Sequence, residues 1–461
     1  MKSVVVCLFA ATAACAPSRP AVFGPVDREV QRRLDLDVTW STDDRVPAAV
    51  TALLRKPLDR EAAIKIAVAK NRRLQAQFDE LGIAASEIAS ATVLAPLAVD
   101  LEHKFAHDHE GSETEIDVTQ DILDLIQIPQ RRGIAKAGLA AARARAVAAT
   151  VELVASVEGT YVDAVAAQQE LELRQTVFDA ASASAEIAER MHAAGNAPDL
   201  TLVRERDQRE QARIDLARAQ ANVELTREAL NEVLGVTGTD TRWSLAGMLD
   251  ELPSTPPQLD TIERDAVAAS LELEATRADA EAAAGRVGVA RLRSFLPELG
   301  VGAAIDRADG EWNVGPALSI GIPLINQGQG PRARANAELR RARNLNTATG
   351  IELRARARAV RQRLLQTYAE ARQLREVVLP LRQRIVDETL RQYNAMNAST
   401  FELLSARRDL VEAGRQYIDA LRRYWRASAD VRALQRGGMP RGSEDVPASG
   451  SAGAAQAAEG H

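Results

Sequence analysis

Apolar and polar residues alternate along this chain with two different periods, and the periods change over at matching places in its two halves. Leu97, Val99, Leu101 and Phe105 share one parity, while Asp100, Glu102 and Lys104 take the other; Ile116 and Val118 then stand against Glu115, Asp117 and Thr119. The second half repeats the alternation with Leu299, Val301, Ala303 and Ile305, followed by Trp312, Val314, Leu318, Ile320 and Ile322, set against Gly, Ala, Asn and Ser. A period of two predicts strands with one apolar and one polar face. Two hairpins follow, turning through His109–Ser112 and Asp306–Gly310.

Outside these stretches the period is helical. Helices are predicted over Arg60–Ala91, Arg131–Ala193 and Asp199–Leu234, and again over Thr261–Arg293, Pro331–Ala395 and Thr400–Leu434. No proline interrupts residues 131–193, so at ~1.5 Å per residue this helix reaches about 95 Å. Pro380 is expected to kink its counterpart. Helices of this length do not wrap a globule and must pair as coiled coils.

Landmarks recur in order. Asn196 and Asn397 are 397 − 196 = 201 residues apart, Pro96 and Pro297 are 297 − 96 = 201 apart, and Pro129 and Pro323 are 323 − 129 = 194 apart. The spacing implies a duplicated helix, hairpin, long helix and return helix. The expected division is 58–252 for the first repeat, 253–260 for a proline-rich linker and 261–436 for the second repeat. Residues 16–57 read as a linker and 437–461, rich in Gly, Ser and Ala, as a disordered tail.

Hydrophobic residues make up 46% of the chain but aromatic ones only 3%, so alanine supplies much of the apolar content and closely packed helices are favoured over large cores. A formal charge of −6 gives no basic field for nucleic acid, and the arginines at 354, 356, 358, 361 and 363 are explained as the solvated face of a helix. Both cysteines, Cys7 and Cys15, lie in the N-terminal segment, which leaves the body without a disulfide or a cysteine-based metal site. Lys2, the apolar run Val4–Ala11 and the small residues before Cys15 form an export signal over 1–15. Thr12-Ala13-Ala14-Cys15 resembles a bacterial lipobox, with Cys15 as the lipidation site, although Leu is preferred where Thr12 stands.

Two hairpins cannot close a sheet alone. Several copies around an axis can, and a closed barrel with its apolar side outward is what a bilayer accepts; a soluble sheet packed on helices is the alternative. Three stretches now carry a resemblance. Tyr393–Leu410 is similar to the tip turn Y-x-x-G-x-x-S and following helix of TolC-like outer-membrane efflux proteins, Gly315–Leu324 to their last strand, and Asn326–Gly330 to the strand-to-helix linker of heavy-metal efflux members. The resemblance implies a mainly α fold with a β-barrel part: a homotrimeric α-helical barrel continuing a shared transmembrane β-barrel in outer-membrane lipid. It also implies a periplasmic adaptor and an inner-membrane pump as partners. No Ser/His/Asp order, P-loop or dinucleotide fingerprint stands out in the sequence, so no catalytic, cofactor-binding or metal residue is expected, and the acidic charge speaks against nucleic acid as a partner. A periplasmic coiled-coil adaptor without pore activity is the competing reading.

The tip turns place Gly195, Asn196 and Asp199, and Met396, Asn397, Ser399 and Thr400, as candidate adaptor contacts. Ser399 and Glu402 also fit a capping box, and Asn196 or Asp199 fits a cap for the first return helix. Met396 stands where glycine is usual; a side chain resists positive φ, so Asn394 or Asn397 is expected to take that conformation, or the turn to be reshaped. Asp100 and Glu102, with Glu115 and Asp117, are candidate barrel-lining acids; Asp199 and Glu402, with Glu205 and Asp409, are candidates near the tip, a solvated helix face being the simpler explanation for each. His103, His107 and His109 match no known ligand spacing and read as exposed loop residues.

Overall fold

The computed structural model describes residues 18–41, 48–94, 96–105, 112–308, 311–323 and 327–440. The export segment with Cys15, the hairpin end carrying His107 and His109, and residues 441–461 lie outside the described residues. In chain order the elements are α1 (Arg19–Leu34), α2 (Ala48–Leu54), α3 (Arg60–Lys70), α4 (Arg72–Thr92), β1 (Ala98–Phe105), β2 (Ser112–Asp121), α5 (Ile122–Ala193) and α6 (Asp199–Leu234). The pattern recurs as α7 (Ile262–Ala269), α8 (Leu271–Phe295), β3 (Leu299–Ala308), β4 (Glu311–Ile320), α9 (Gln329–Gln373), α10 (Leu379–Asn394) and α11 (Thr400–Gln435).

Each predicted first helix is two helices. Asn71 leaves helical geometry at φ −67° and ψ 112°, and its Oδ1 accepts the Leu74 N–H at 3.0 Å. Ser270, at φ −63° and ψ 117°, does the same through Oγ to the Leu273 N–H at 3.2 Å. A side chain able to cap a new helix makes each break cheap. The return helices end on these breaks. Gly235 (φ +70°) lies where a Cβ would come 2.9 Å from the Lys70 carbonyl, and Gly437 (φ +91°) where it would come 2.2 Å from that of Ala269, so both positions require glycine twice over. The Leu271 N–H donates to the Gly437 carbonyl at 3.1 Å, so residues 437–440 belong to the packed body and not to the tail expected there.

Three other expectations change. The segment 16–57 is not a surface linker throughout, because Val22, Val26, Val30 and Leu34 give α1 a buried stripe against α4 and α5. The prolines of this segment, which favour a loop, are accommodated, Pro20 within the first turn and Pro25 inside α1. The first long helix begins at Ile122, before Pro129, because the Asp121 carboxylate caps it by accepting the Leu123 N–H at 2.8 Å. Its 72 residues span about 108 Å. Near Pro380 the irregularity is a π-helical turn over Leu374–Val378, which widens the helix just before a residue lacking the N–H that a regular turn needs.

The larger core gathers α1, α3, α4, α5 and the end of α6, with Phe78, Leu81 and Ile66 fully buried. The connection between the halves is fixed from both sides: the Tyr161 hydroxyl donates to the Ala246 carbonyl at 3.1 Å, and the Tyr368 hydroxyl to that of Pro253 at 3.2 Å. Arg33 reaches the carbonyls of Ala269 (2.8 Å) and Arg436 (2.7 Å), placing a cation at the C-terminal ends of α7 and α11.

Candidate functional site

The four strands form one antiparallel sheet in the order β1-β2-β3-β4, and the pairing of β2 with β3 joins the halves. Its register sorts the side chains. One face carries the row Leu101, Ile116, Ile305 and Val314, and next to it Val99, Val118, Ala303 and Pro316. Val99, Leu101, Val314, Leu318 and Ile320 are each more than half exposed. Contiguous apolar exposure on this scale marks a surface that contacts something other than water. At the end remote from the helices, the row His103, Thr114, Arg307 and Trp312 is polar and aromatic; His103 bonds Thr114 at 2.8 Å, and Arg307 sits 5.5 Å over the Trp312 ring. Such a girdle suits a membrane interface.

The opposite face is acidic. Asp100 stands across from Asp117, and Glu102 across from Glu115, which in turn neighbours Asp306. Like charges directly opposed destabilise a sheet unless water screens them, so this face is built for a wet lumen. Among the described residues Lys104 is its one basic side chain, 3.7 Å from Glu102 and 3.9 Å from Glu115. Asp306 and Glu113 were not among the expected lining acids, and the continued parity of the strands was the signal that could have found them.

At the other end of α5 the chain turns back. The Gly195 N–H donates to the His192 carbonyl and the Asn196 N–H to that of Met191, both at 2.8 Å; the second turn repeats this with Met396 to Tyr393 (2.9 Å) and Asn397 to Gln392 (2.8 Å). These paired bonds close a helix end around one left-handed residue. In the first turn that residue is Gly195 at φ +76°, and in the second it is Met396 itself at φ +61°, with Asn394 in α10 and no positive φ at Asn397. The bonding pattern overrides the side-chain preference, and Met396, 94% exposed, meets no clash to add to the backbone cost.

Neither Asn196 nor Asp199 caps α6; the cap position is Pro198, without a side-chain bond, while Asp199 occupies the first turn. Ser399 and Glu402 do form the capping box, with Ser399 Oγ accepting the Glu402 N–H at 3.2 Å and the Glu402 carboxylate accepting the Ser399 N–H at 2.7 Å. The Ser399 backbone N–H, helped by its hydroxyl, holds the Glu402 carboxyl below its usual range. Glu205 is buried against Ser184 (2.8 Å) and Asp409 pairs with Arg382 (2.9 Å), so both are engaged within the protomer.

A family model described as outer membrane efflux protein matches residues 99–236, from β1 to the end of α6. The cobalt-zinc-cadmium resistance protein CzcC of Cupriavidus metallidurans is 26% identical over 385 residues, covering 81% of this chain and 89% of that protein. Over β1 to α6 the chain is similar to the outer membrane efflux proteins. Its fold matches the Campylobacter jejuni CmeC outer membrane channel at a TM-score of 0.66 and 17% identity, over 91% of this chain and 93% of that one. The outer membrane protein VceC of Vibrio cholerae matches at 0.63 and 16% identity, over 92% and 99%. This efflux protein is therefore an outer-membrane channel component of a tripartite system in a Gram-negative bacterium, with its helices extending into the periplasm.

The second tip turn of the channel protein yields a direct test. A left-handed side chain costs roughly 1–2 kcal/mol, and glycine returns part of this as lost chain entropy, so Met396→Gly should stabilise the turn by about 0.5–1 kcal/mol. Exchange of the Asn397 amide, bonded to Gln392, is then expected to slow about two- to fivefold, measured by hydrogen-deuterium exchange. Unchanged exchange would mean that Met396 carries no strain.

Proposed function

We propose that this channel protein assembles as a homotrimer providing the exit duct for cargo delivered by an inner-membrane pump and a periplasmic adaptor. The observation that supports this reading most directly is the sheet, which separates an exposed apolar face from an acidic one and leaves one edge each of β1 and β4 unpaired among the described residues. Three chains with four strands each would close a barrel of twelve strands without edges. Helices of about 108 Å continuing from these strands would supply the periplasmic tunnel.

In this reading Asp100, Glu102, Glu115 and Asp117 line the barrel and favour cations. The similarity to a cobalt-zinc-cadmium resistance protein supports divalent metal cations as cargo. Gly195, Asn196, Asp199, Met396, Asn397, Ser399 and Thr400 form the adaptor-facing tip, where Asp199 and Glu402 would ring the opening. Cys15 anchors the mature chain through acylation, and the repeats divide at 58–252 and 261–436. The role is passage and not catalysis.

Single-channel recording in a planar bilayer tests the assignment. The wild type should conduct with cation preference, and the quadruple variant Asp100→Asn, Glu102→Gln, Glu115→Gln, Asp117→Asn should conduct with that preference reduced. Absence of any pore speaks for the adaptor-like alternative; unchanged selectivity removes these acids from the lining.

A further inference from the structure

Immediately beneath the sheet, α5, α8 and α9 line an open cavity of about 420 Å³. Four guanidinium groups line it, from Arg131, Arg286, Arg293 and Arg334, with Glu338 as the one acid in its wall. Arg334 is paired with Glu338 at 2.9 Å, and Asp124 serves both Arg293 (2.6 Å) and Arg131 (3.4 Å). Four cations against two carboxylates leave an excess of two positive charges, and Arg286 has no ion-pair partner among the described residues.

A second feature lies in the wall of the same cavity. Gln127 is fully buried, and its Oε1 accepts from Arg293 Nε at 3.2 Å, which fixes the amide so that Nε2 is the free end. Among the described residues that Nε2 has no hydrogen-bond partner. A buried donor without an acceptor is rare, because it forfeits its bond to water. An anion with several acceptor oxygens would satisfy it together with the guanidinium groups, and arginine forks match phosphate oxygens in pairs.

We propose that this cavity is a binding site for a phosphate ester, with the headgroup of an anionic phospholipid as its occupant in the membrane. The position fits. Gln127 lies six residues into the helix after Asp121, roughly 9 Å beyond the strand end, and Pro331 lies two residues into α9, roughly 3 Å in. That is the depth of headgroups on the periplasmic side of a barrel whose strands cross the hydrocarbon core. Ile134, Val289 and Pro331 give the cavity an apolar wall, and the exposed Leu125, Ile126, Phe295 and Ile322 continue the apolar surface of the sheet past its rim, a surface for acyl chains next to a site for the phosphate. The lipid source rests on the outer-membrane reading; the phosphate chemistry does not.

Native mass spectrometry of the full-length protein in detergent, titrated with phosphatidylglycerol or phosphatidylcholine, tests the proposal, with thermal shift by inorganic phosphate as a second arm. Phosphatidylglycerol should bind at least about tenfold more tightly than phosphatidylcholine, and Arg286→Gln or Gln127→Leu should each lower its affinity by about tenfold. Arg286 is exposed, so its substitution leaves the packing intact and keeps the test valid if the buried Gln127→Leu variant misfolds. Phosphatidylglycerol binding that inorganic phosphate does not displace identifies the lipid as the source. Stabilisation by inorganic phosphate that Arg286→Gln abolishes, without lipid selectivity, keeps the site and assigns it a soluble ester, whatever becomes of the membrane reading. Equal binding of both lipids with no phosphate effect, or an Arg286→Gln variant that binds as the wild type does, overturns the proposal.

Discussion

Ala303→Arg is expected to remove the protein from the outer membrane, while Ala304→Arg, one residue along the same strand, is expected to leave assembly intact. Ala303 lies mid-strand between Val118 and Pro316 on the apolar face, and Ala304 lies between Asp117 and Gly315 on the acidic one. A cationic side chain on the lipid face near the bilayer midplane costs about 2–4 kcal/mol per chain, and every copy in an assembly bears that cost. The same side chain at 304 enters water and gains an aspartate neighbour. Heat-modifiable oligomer in outer-membrane extracts reads out assembly for both variants, and bilayer recording of Ala304→Arg should show diminished cation preference. If both variants assemble equally well, the sheet does not face lipid with the surface assigned to it here.

Strand parity is a strong signal: shifting a strand by one residue exchanges its faces, so the sequence alone assigns Val99 and Asp100 to opposite faces. The helix breaks were harder to see. Asn71 and Ser270 are ordinary polar residues in apolar-periodic stretches, and only their capping bonds, with Gly235 and Gly437 lying against them, reveal that each half bends at the same place. Glycine after a helix is common, and what sets these two apart is a close approach across more than 150 residues of chain. The stripe of Val22, Val26 and Val30 in α1 was legible, but Pro17, Pro20 and Pro25 spoke for a loop. Met396 went the other way: its side chain argued against positive φ, and the two carbonyls closing the turn outweighed it. The cavity at Gln127 depends on three helices meeting and has no trace in any one of them.

Asp163→Ala is expected to cost about 2–3 kcal/mol and to lower the melting temperature of the purified protein. Asp163 on α5 takes a hydrogen bond from Arg426 Nη1 at 2.7 Å and a weaker one from Arg422 at 3.4 Å, both on α11, so the long helix of one half is tied to the return helix of the other. Deleting one partner of a buried pair costs about 3–5 kcal/mol by leaving the other charge uncompensated; both arginines keep about a third of their surface in water, which screens part of that loss. Arg422 also retains Asp419 at 2.8 Å, so Arg426 bears most of the change. Replacing both members, Asp163→Leu with Arg426→Met, should recover most of the stability, because an apolar pair needs no compensation. The pH dependence has a definite sign. Burial pushes the Asp163 carboxyl above its usual value, against the pull of Arg426 and Arg422. The folded state then holds this proton more tightly than the unfolded one, and the contribution of Asp163 to stability falls as pH rises through its folded pKa. Compared with Asp163→Asn, which does not titrate, the wild type should therefore gain ground as pH drops from neutral toward the ordinary carboxylate range. A wild-type advantage that shrinks on acidification, or a single variant within about 0.5 kcal/mol of wild type, would show that this pair does not join the two halves as its geometry indicates.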